Sequence, residues 1–374
     1  MERKRRVFVG TGKGLFILEA DGPREAFSIS APLCDLWPIN DIHASVEREM
    51  VWAAGGSDDF GAGVWRSSDE GRLWRLSKLS NGNFDRFMLD DPDFAEENNI
   101  PPPEIAPHNG EVTAMWSVAP VGERLFAGGK PGKLYRSDDR GENFALVESF
   151  SRQPGSDEWE GGYAGLIPHT IVSAGDDARR IWIGMSAVGV FASEDGGIGW
   201  EMRNRRSNIG SGPSDIGPCV HNLAMASTDE GEEVLYQQNH QGVFISRDGA
   251  RSWSEIGHGL PSTFGFPIEV HPEKPDTLWT FPLKSDWERY PPDARAAVWK
   301  SVDGGQSWSP RGEGLPDRDC YFTVLRQAMS CDRHLDPGLY FGTGSGSVFA
   351  SFDEGDSWRE IASHLPAVRC IEAT

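Results

Sequence analysis

The octet SVDGGQSW, Ser301–Trp308, decides the fold, because the chain spells it six times. The other copies are SSDEGRLW (Ser67–Trp74), SDDRGENF (Ser137–Phe144), SEDGGIGW (Ser193–Trp200), SRDGARSW (Ser246–Trp253) and SFDEGDSW (Ser351–Trp358). Two copies break the Ser-x-Asp-x-Gly-x-x-Trp rule, with Phe144 in place of Trp and Ala250 in place of Gly. The later copies recur at intervals of about 50 to 56 residues, close to the period of propeller blades. Ser and Asp side chains accept backbone N–H bonds in tight turns, and Gly permits positive φ. The octet therefore reads as a turn staple whose Trp packs on the blade sheet. A catalytic role for its Asp residues is a poor reading, since one active site has no use for six equivalents.

Ahead of each octet stands an apolar hairpin with a Gly-bearing turn, as in RLFAGGKPGKLYRS (Arg124–Ser137), RIWIGMSAVGVFAS (Arg180–Ser193), VLYQQNHQGVFIS (Val234–Ser246) and LYFGTGSGSVFAS (Leu339–Ser351). A seventh hairpin spans Val7–Glu19, its octet reduced to Asp21-Gly22. Further apolar runs precede the hairpins at Ile42–Val46, Val112–Ala119, Thr170–Ala174, Asn222–Ala226, Ile268–His271 and Tyr321–Met329. The first hairpin lacks such a run, while an orphan run, HLPAVRCIEAT, follows the last octet. The expectation is an all-β, seven-bladed β-propeller of four-stranded blades, a single domain over residues 1–374. Val368–Glu372 would pair with Val7–Val9 and close the ring, which removes exposed strand edges.

Composition narrows the partners. A net charge of −21 opposes binding to nucleic acid or an anionic membrane. The basic opening Met1–Arg6 is followed by too short and too Gly-rich a stretch for a signal sequence, and no run approaches a membrane span. Five cysteines (Cys34, Cys219, Cys320, Cys331, Cys370) are scattered without CxxC spacing, so the expected compartment is the cytoplasm.

The octets resemble the Asp-box repeat of sialidases, xyloglucanases, sortilin-type receptors and photosystem assembly factors. Over its full length the chain resembles bacterial seven-bladed proteins of the BNR-repeat, WD40/YVTN/BNR-like or sialidase-like glycosyl hydrolase group. The resemblance rests on VGTGKGLFIL near the start, YQQNHQGVFISRDG (Tyr236–Gly249), FGFPIEVHP (Phe264–Pro272), VLRQAMS (Val324–Ser330) and FGTGSGSVFASFDEGDSW (Phe341–Trp358). True sialidases of that type carry an [FY]RIP segment and six blades. This chain has no such segment and reads as seven blades, so sialidase activity is not expected.

In a propeller the links into the first strand and between the second and third share one face, and the octets lie on the other. The long connections, Ser80–Gly110, Ser151–Pro168, Arg203–Pro218 and Leu283–Ala297, gather on the first face, where binding and catalysis usually reside. Aligning the inner strands puts Asn40, Asp41, His169, His221, Phe266, Arg326 and Gln327 near the channel mouth, with His240 opening to the same face. The candidate catalytic residues are Asp41, Glu111, Glu160, His169, His221 and Arg326. The candidate ligand-binding residues are Asn40, Trp159, Tyr163, His240, Phe266, Trp287, Tyr321 and Gln327. Other carboxylates on these loops, Asp215 among them, read as solvated.

Three readings stay open. A small molecule or saccharide binds at the mouth, with hydrolase- or lyase-like chemistry in which a His and a carboxylate act as base and acid and Arg326 holds an anionic group. Alternatively His169, His221 and His240, joined by His108, bind a divalent metal and make a metal-dependent enzyme. The third is a non-catalytic scaffold or assembly factor whose long-loop face grips a protein partner. Glycoside hydrolysis would need two suitably spaced carboxyls, for which Asp41, Glu111 and Glu160 are the candidates.

Overall fold

The computed structural model describes residues 4–22, 26–175, 177–204, 219–228 and 230–374. Seven four-stranded antiparallel sheets are formed by these residues, each antiparallel strand following its neighbour outward. Blade 1 consists of Arg5–Thr11, Gly14–Ala20 and Ser28–Ile29, with Val368–Ala373 as its innermost strand. Blades 2 to 7 begin with inner strands Ile39–Ser45, Ala114–Val121, Pro168–Ala174, Val220–Ser227, Gly265–Val270 and Met329–Cys331. The chain tail pairs Ala373 with Val7, Glu372 with Phe8 and Ile371 with Val9, so the ring closes as expected.

The octets occupy the turns between third and fourth strands. In all six, the first Ser donates to the Asp carboxylate at 2.7–2.9 Å. The same Asp oxygen accepts the N–H of the seventh residue at 2.8–2.9 Å. The fourth and fifth residues both take positive φ; Ala250 does so at 67° where the other copies have Gly. The aromatic ring packs on its own sheet in one copy, where Trp358 lies edge-on 5.0 Å from Phe341, and reaches the preceding blade in two others: Trp253 Nε1 donates to Arg203 O of blade 4, and Trp308 Nε1 to Ile256 O of blade 5. A second set of tryptophans stitches in the opposite sense. Trp52, Trp182 and Trp279, on second strands, donate to the octet carbonyls of Arg140, Gly249 and Glu354 in the following blades at 2.9–3.0 Å. The seams between blades 2 and 3, 4 and 5, 5 and 6, and 6 and 7 are thus apolar and hydrogen-bonded at once, and buried core runs through them.

Two expectations are corrected. The run Tyr321–Met329 is not a strand; blade 7 starts its inner strand at Met329, and residues 321–328 form an irregular segment. Thr323 Oγ1 donates to Arg289 O of blade 6, and Gly344 N donates to Thr323 O, so the segment's polar groups are spent on neighbouring loops rather than on a ladder. The connection between blades 2 and 3 is not plain loop but carries two helices, Asn83–Asp90 and Pro92–Glu97. Pro92 opens the second, and the Asp91 carboxylate caps it by accepting from Phe94 N at 3.1 Å.

Candidate functional site: the channel mouth

Every well-formed inner strand slips register at the same place. Asn40, Trp116, His169, His221 and Arg369 are each the single residue skipped between two ladder pairs, and Phe266 and Pro267 fill the equivalent gap in blade 6. A bulge re-aims the extra side chain out of the ladder. Repeated around a ring, it sets one side chain per blade at one end of the channel, with Arg326 and Gln327 supplying blade 7.

In four inner strands the carbonyl just ahead of the bulge accepts a side-chain hydrogen bond from the preceding blade. Asn40 Nδ2 donates to Met115 O (2.9 Å), Ser117 Oγ to Pro168 O (2.8 Å), His169 Nδ1 to Val220 O (2.6 Å) and His221 Nδ1 to Gly265 O (2.6 Å). Where Trp116 cannot serve, the following Ser117 does. Gln327 Nε2 reaches across the mouth to His169 O, and Asn222 Nδ2 donates to Arg326 O at 3.0 Å. The 321–327 segment is thereby drawn over the channel.

These bonds fix the histidine tautomers. With Nδ1–H given to a carbonyl, the Nε2 atoms of His169 and His221 carry lone pairs, and both are buried without a protein partner. Burial, then the nearby Arg326 charge, depresses both imidazoles well below their ordinary value, so they are neutral. Arg326 itself is pulled down to about 10 by burial, against the raising effect of Cys219 and with Arg289 lowering it further. Its guanidinium lies 4.6 Å from the Phe266 ring centre, with Arg289 at 5.6 Å from the same ring.

One flank of Arg326 opens into a cavity of about 290 Å³ lined by Asn40, Asp58, Trp116, Lys130, Gln327 and Arg369 among others. Arg326, Arg369 and Lys130 meet there with a single carboxylate, Asp58, and none of the three cations has an ion-pair partner among the described residues. Arg369 donates to Asn40 Oδ1 at 2.8 Å, which points its guanidinium along the rim. The other flank holds Cys219, His221 and His240, whose ligand atoms lie within 4.8 Å of one another. Burial pushes the Cys219 thiol up, but the hydrogen bond and charge of His240 outweigh it and bring the thiol below its usual range.

Deeper in the channel stand Asp41, Glu269 and Glu372. Asp41 accepts from Ile42 N (3.0 Å) and Val118 N (2.8 Å), Glu372 from Ala44 N (3.1 Å) and Glu269 from Cys331 N (3.3 Å). Burial raises all three carboxyls, Glu269 to about 8 and Glu372 to about 7. They stitch inner strands together rather than face the cavity.

The structure thus brings Asn40, Arg326 and Gln327 to the cavity and His169, His221, His240 and Phe266 around Arg326. It sets the remaining candidates elsewhere. His108 bonds Phe144 O at 2.9 Å and its ring sits tilted against Tyr135 at 4.8 Å, with Glu111 beside it at 3.6 Å. Trp159 packs on Phe150 and Phe191, pinning its loop, and Glu160 is exposed. Tyr163 and Trp287 are exposed without lining the cavity, and Tyr321 packs edge-on against Tyr290 at 5.2 Å. Asp215 lies outside the described residues. Trp116, Lys130, Arg369 and Cys219 were missed. Trp116 and Arg369 occupy the same place in Met-Trp-Ser and Val-Arg-Cys as His221 does in Val-His-Asn, so the repeat register itself contained the signal.

No protein-family profile matches the chain. It is similar to a xyloglucanase from Paenibacillus sp, 25% identical over an alignment 347 residues long that covers 83% of this chain and 30% of that protein. Among solved structures, the GH74 xyloglucanase from Xanthomonas campestris superposes with a TM-score of 0.57 at 17% identity, covering 97% of this chain and 56% of its own. YCF48 from Cyanidioschyzon merolae gives 0.51 at 14% identity over 86% of this chain and 84% of its own, and YCF48 bound to D1 peptide superposes equally. The chain therefore spans about a third to a half of the xyloglucanases it matches. What it shares with these solved structures is the propeller fold.

Proposed function

We propose that the protein binds a small anionic, hydroxyl-bearing ligand, of the sugar-acid or sugar-phosphate class, in the cavity at the channel mouth. The observation that carries this is charge: in a chain of net charge −21, Arg326, Arg369 and Lys130 converge on one cavity without ion-pair partners among the described residues. Guanidinium forks suit carboxylate and phosphate, and a volume near 290 Å³ suits a ligand about the size of a sugar. Trp116 offers an aromatic face, while Asn40 and Gln327 offer amides for hydroxyls. The similarity to enzymes named xyloglucanase points to saccharides as the ligand class, and the cavity adds the charge.

Two-carboxylate glycoside hydrolysis finds little support here, because the cavity lining supplies only Asp58. Calorimetry with hexuronic acids and hexose phosphates, set beside the matching neutral hexoses, tests the reading. The anionic members should bind with salt-sensitive affinity, and Arg369→Met, which keeps an apolar stem, should weaken them by about tenfold or more. Equal binding of neutral hexoses, or no effect of Arg369→Met, would overturn it.

A protein partner is the second reading, and the helical insert favours it. Phe84, Phe87, Phe94 and Ile105 are all exposed there, Ile105 at 73%, on the face that carries the mouth. Phe87→Asp should then abolish capture of a partner while leaving anion binding untouched.

A further inference from the structure

Blade 5 builds a second constellation that the anion cavity does not use. Its inner strand opens with the pair Val220 and Asn239, so Cys219 and His240, one residue beyond on either side, face each other across the hairpin end. His221, the bulged residue, turns into the same space, its ring 4.7 Å from that of His240. Phe264 and Phe266 wall the group at 5.2 and 4.7 Å from His221.

We propose that Cys219, His221 and His240 form a binding site for a borderline-soft divalent cation of the zinc class. The thiol sulfur and both imidazole nitrogens lie within 4.8 Å of one another, a span that small side-chain rotations bring onto one ion. His221 is fully buried, and its Nδ1–H is committed to Gly265 O at 2.6 Å, leaving Nε2 unpartnered. A backbone carbonyl on the far nitrogen is the arrangement that orients metal-ligating imidazoles. The mixed sulfur and nitrogen set selects zinc-like ions over magnesium or calcium, which take oxygen. Three protein ligands leave an open position, and the exposed His240 marks the entry path. A bound thiolate offsets one of the two positive charges that the ion brings beside Arg326. Arg326 also borders the anion cavity, so the ion and an anionic ligand would lie on either side of one guanidinium.

Cobalt(II) titration of chelator-stripped protein tests this without reference to any activity. The expected result is one cobalt per chain with a thiolate-to-cobalt charge-transfer band in the near ultraviolet, displaced by zinc. Cys219→Ser should remove the band, and His240→Ala, at an exposed turn position, should remove tight binding while circular dichroism stays native. His108→Ala, remote from the site, should change neither. A protein that takes up no cobalt, or a band that survives Cys219→Ser, would overturn the proposal. Anion binding measured in chelator stands or falls separately.

Discussion

At the scale of single residues, the octet shows how one carboxylate organises a turn. Asp303 accepts from Ser301 Oγ at 2.7 Å and from Ser307 N and Oγ at 2.9 and 2.5 Å. The Ser307 hydroxyl and N–H bonds hold the Asp303 carboxyl below its ordinary value, despite the opposing effect of burial. Asp303→Ala should therefore cost about 1–3 kcal/mol and lower Tm by several degrees, measured by calorimetry at pH 7. An unchanged Tm would mean that the turn is held by its glycines alone. Because the octet carboxyls at Asp69, Asp139, Asp195, Asp303 and Asp353 are all depressed, their contribution is present above pH 4 and fades as pH falls below it. Residue-scale chemistry of this kind was legible in the sequence, since Ser, Asp and Gly at fixed offsets leave few other turns to form.

At the scale of the strand, the bulge is the device that makes the site. It was legible only in part. Polar or aromatic residues just ahead of each apolar run singled out Asn40, His169, His221 and Phe266, but the tail Val-Arg-Cys was read for its pairing and not its register. Cys219 looked uninformative because its partner His240 is brought near by hairpin pairing, not by spacing that a motif would betray. Inner strands also place carboxyls where the channel penalises charge. For Glu269, raised to about 8 against an unfolded value near 4.3, the unfolded chain loses its proton first. Stability from this group is therefore undiminished below about pH 4 and declines as pH rises to about 8. Glu269→Gln keeps an oxygen for Cys331 N and removes the ionisation, so its Tm should exceed that of the natural protein at pH 8 and by much less at pH 5. A difference constant across that range would show that Glu269 does not carry this titration.

At the scale of the whole molecule, closure holds the mouth together. The innermost strand of blade 1 comes from the tail, and it brings Arg369 to the cavity and Glu372 to the channel. Removing Val368–Thr374 would expose the edges of blades 1 and 7 and strip Ile371 N from Gln327 O. The truncated chain should lose cooperative unfolding and aggregate, seen by calorimetry and light scattering; a native-like melt would mean the ring does not depend on its clasp. The blade count and the clasp were legible from repeats alone. The cavity was not, because it forms where side chains from blades 1, 2, 3 and 7 converge, far apart in sequence. The central claim, that this convergence binds an anion, is tested most directly by a crystal structure grown with a hexose phosphate. The account predicts its phosphate within hydrogen-bond distance of Arg326 and Arg369 with the sugar ring against Trp116. A ligand bound elsewhere, or one turned with its phosphate to solvent, would contradict it.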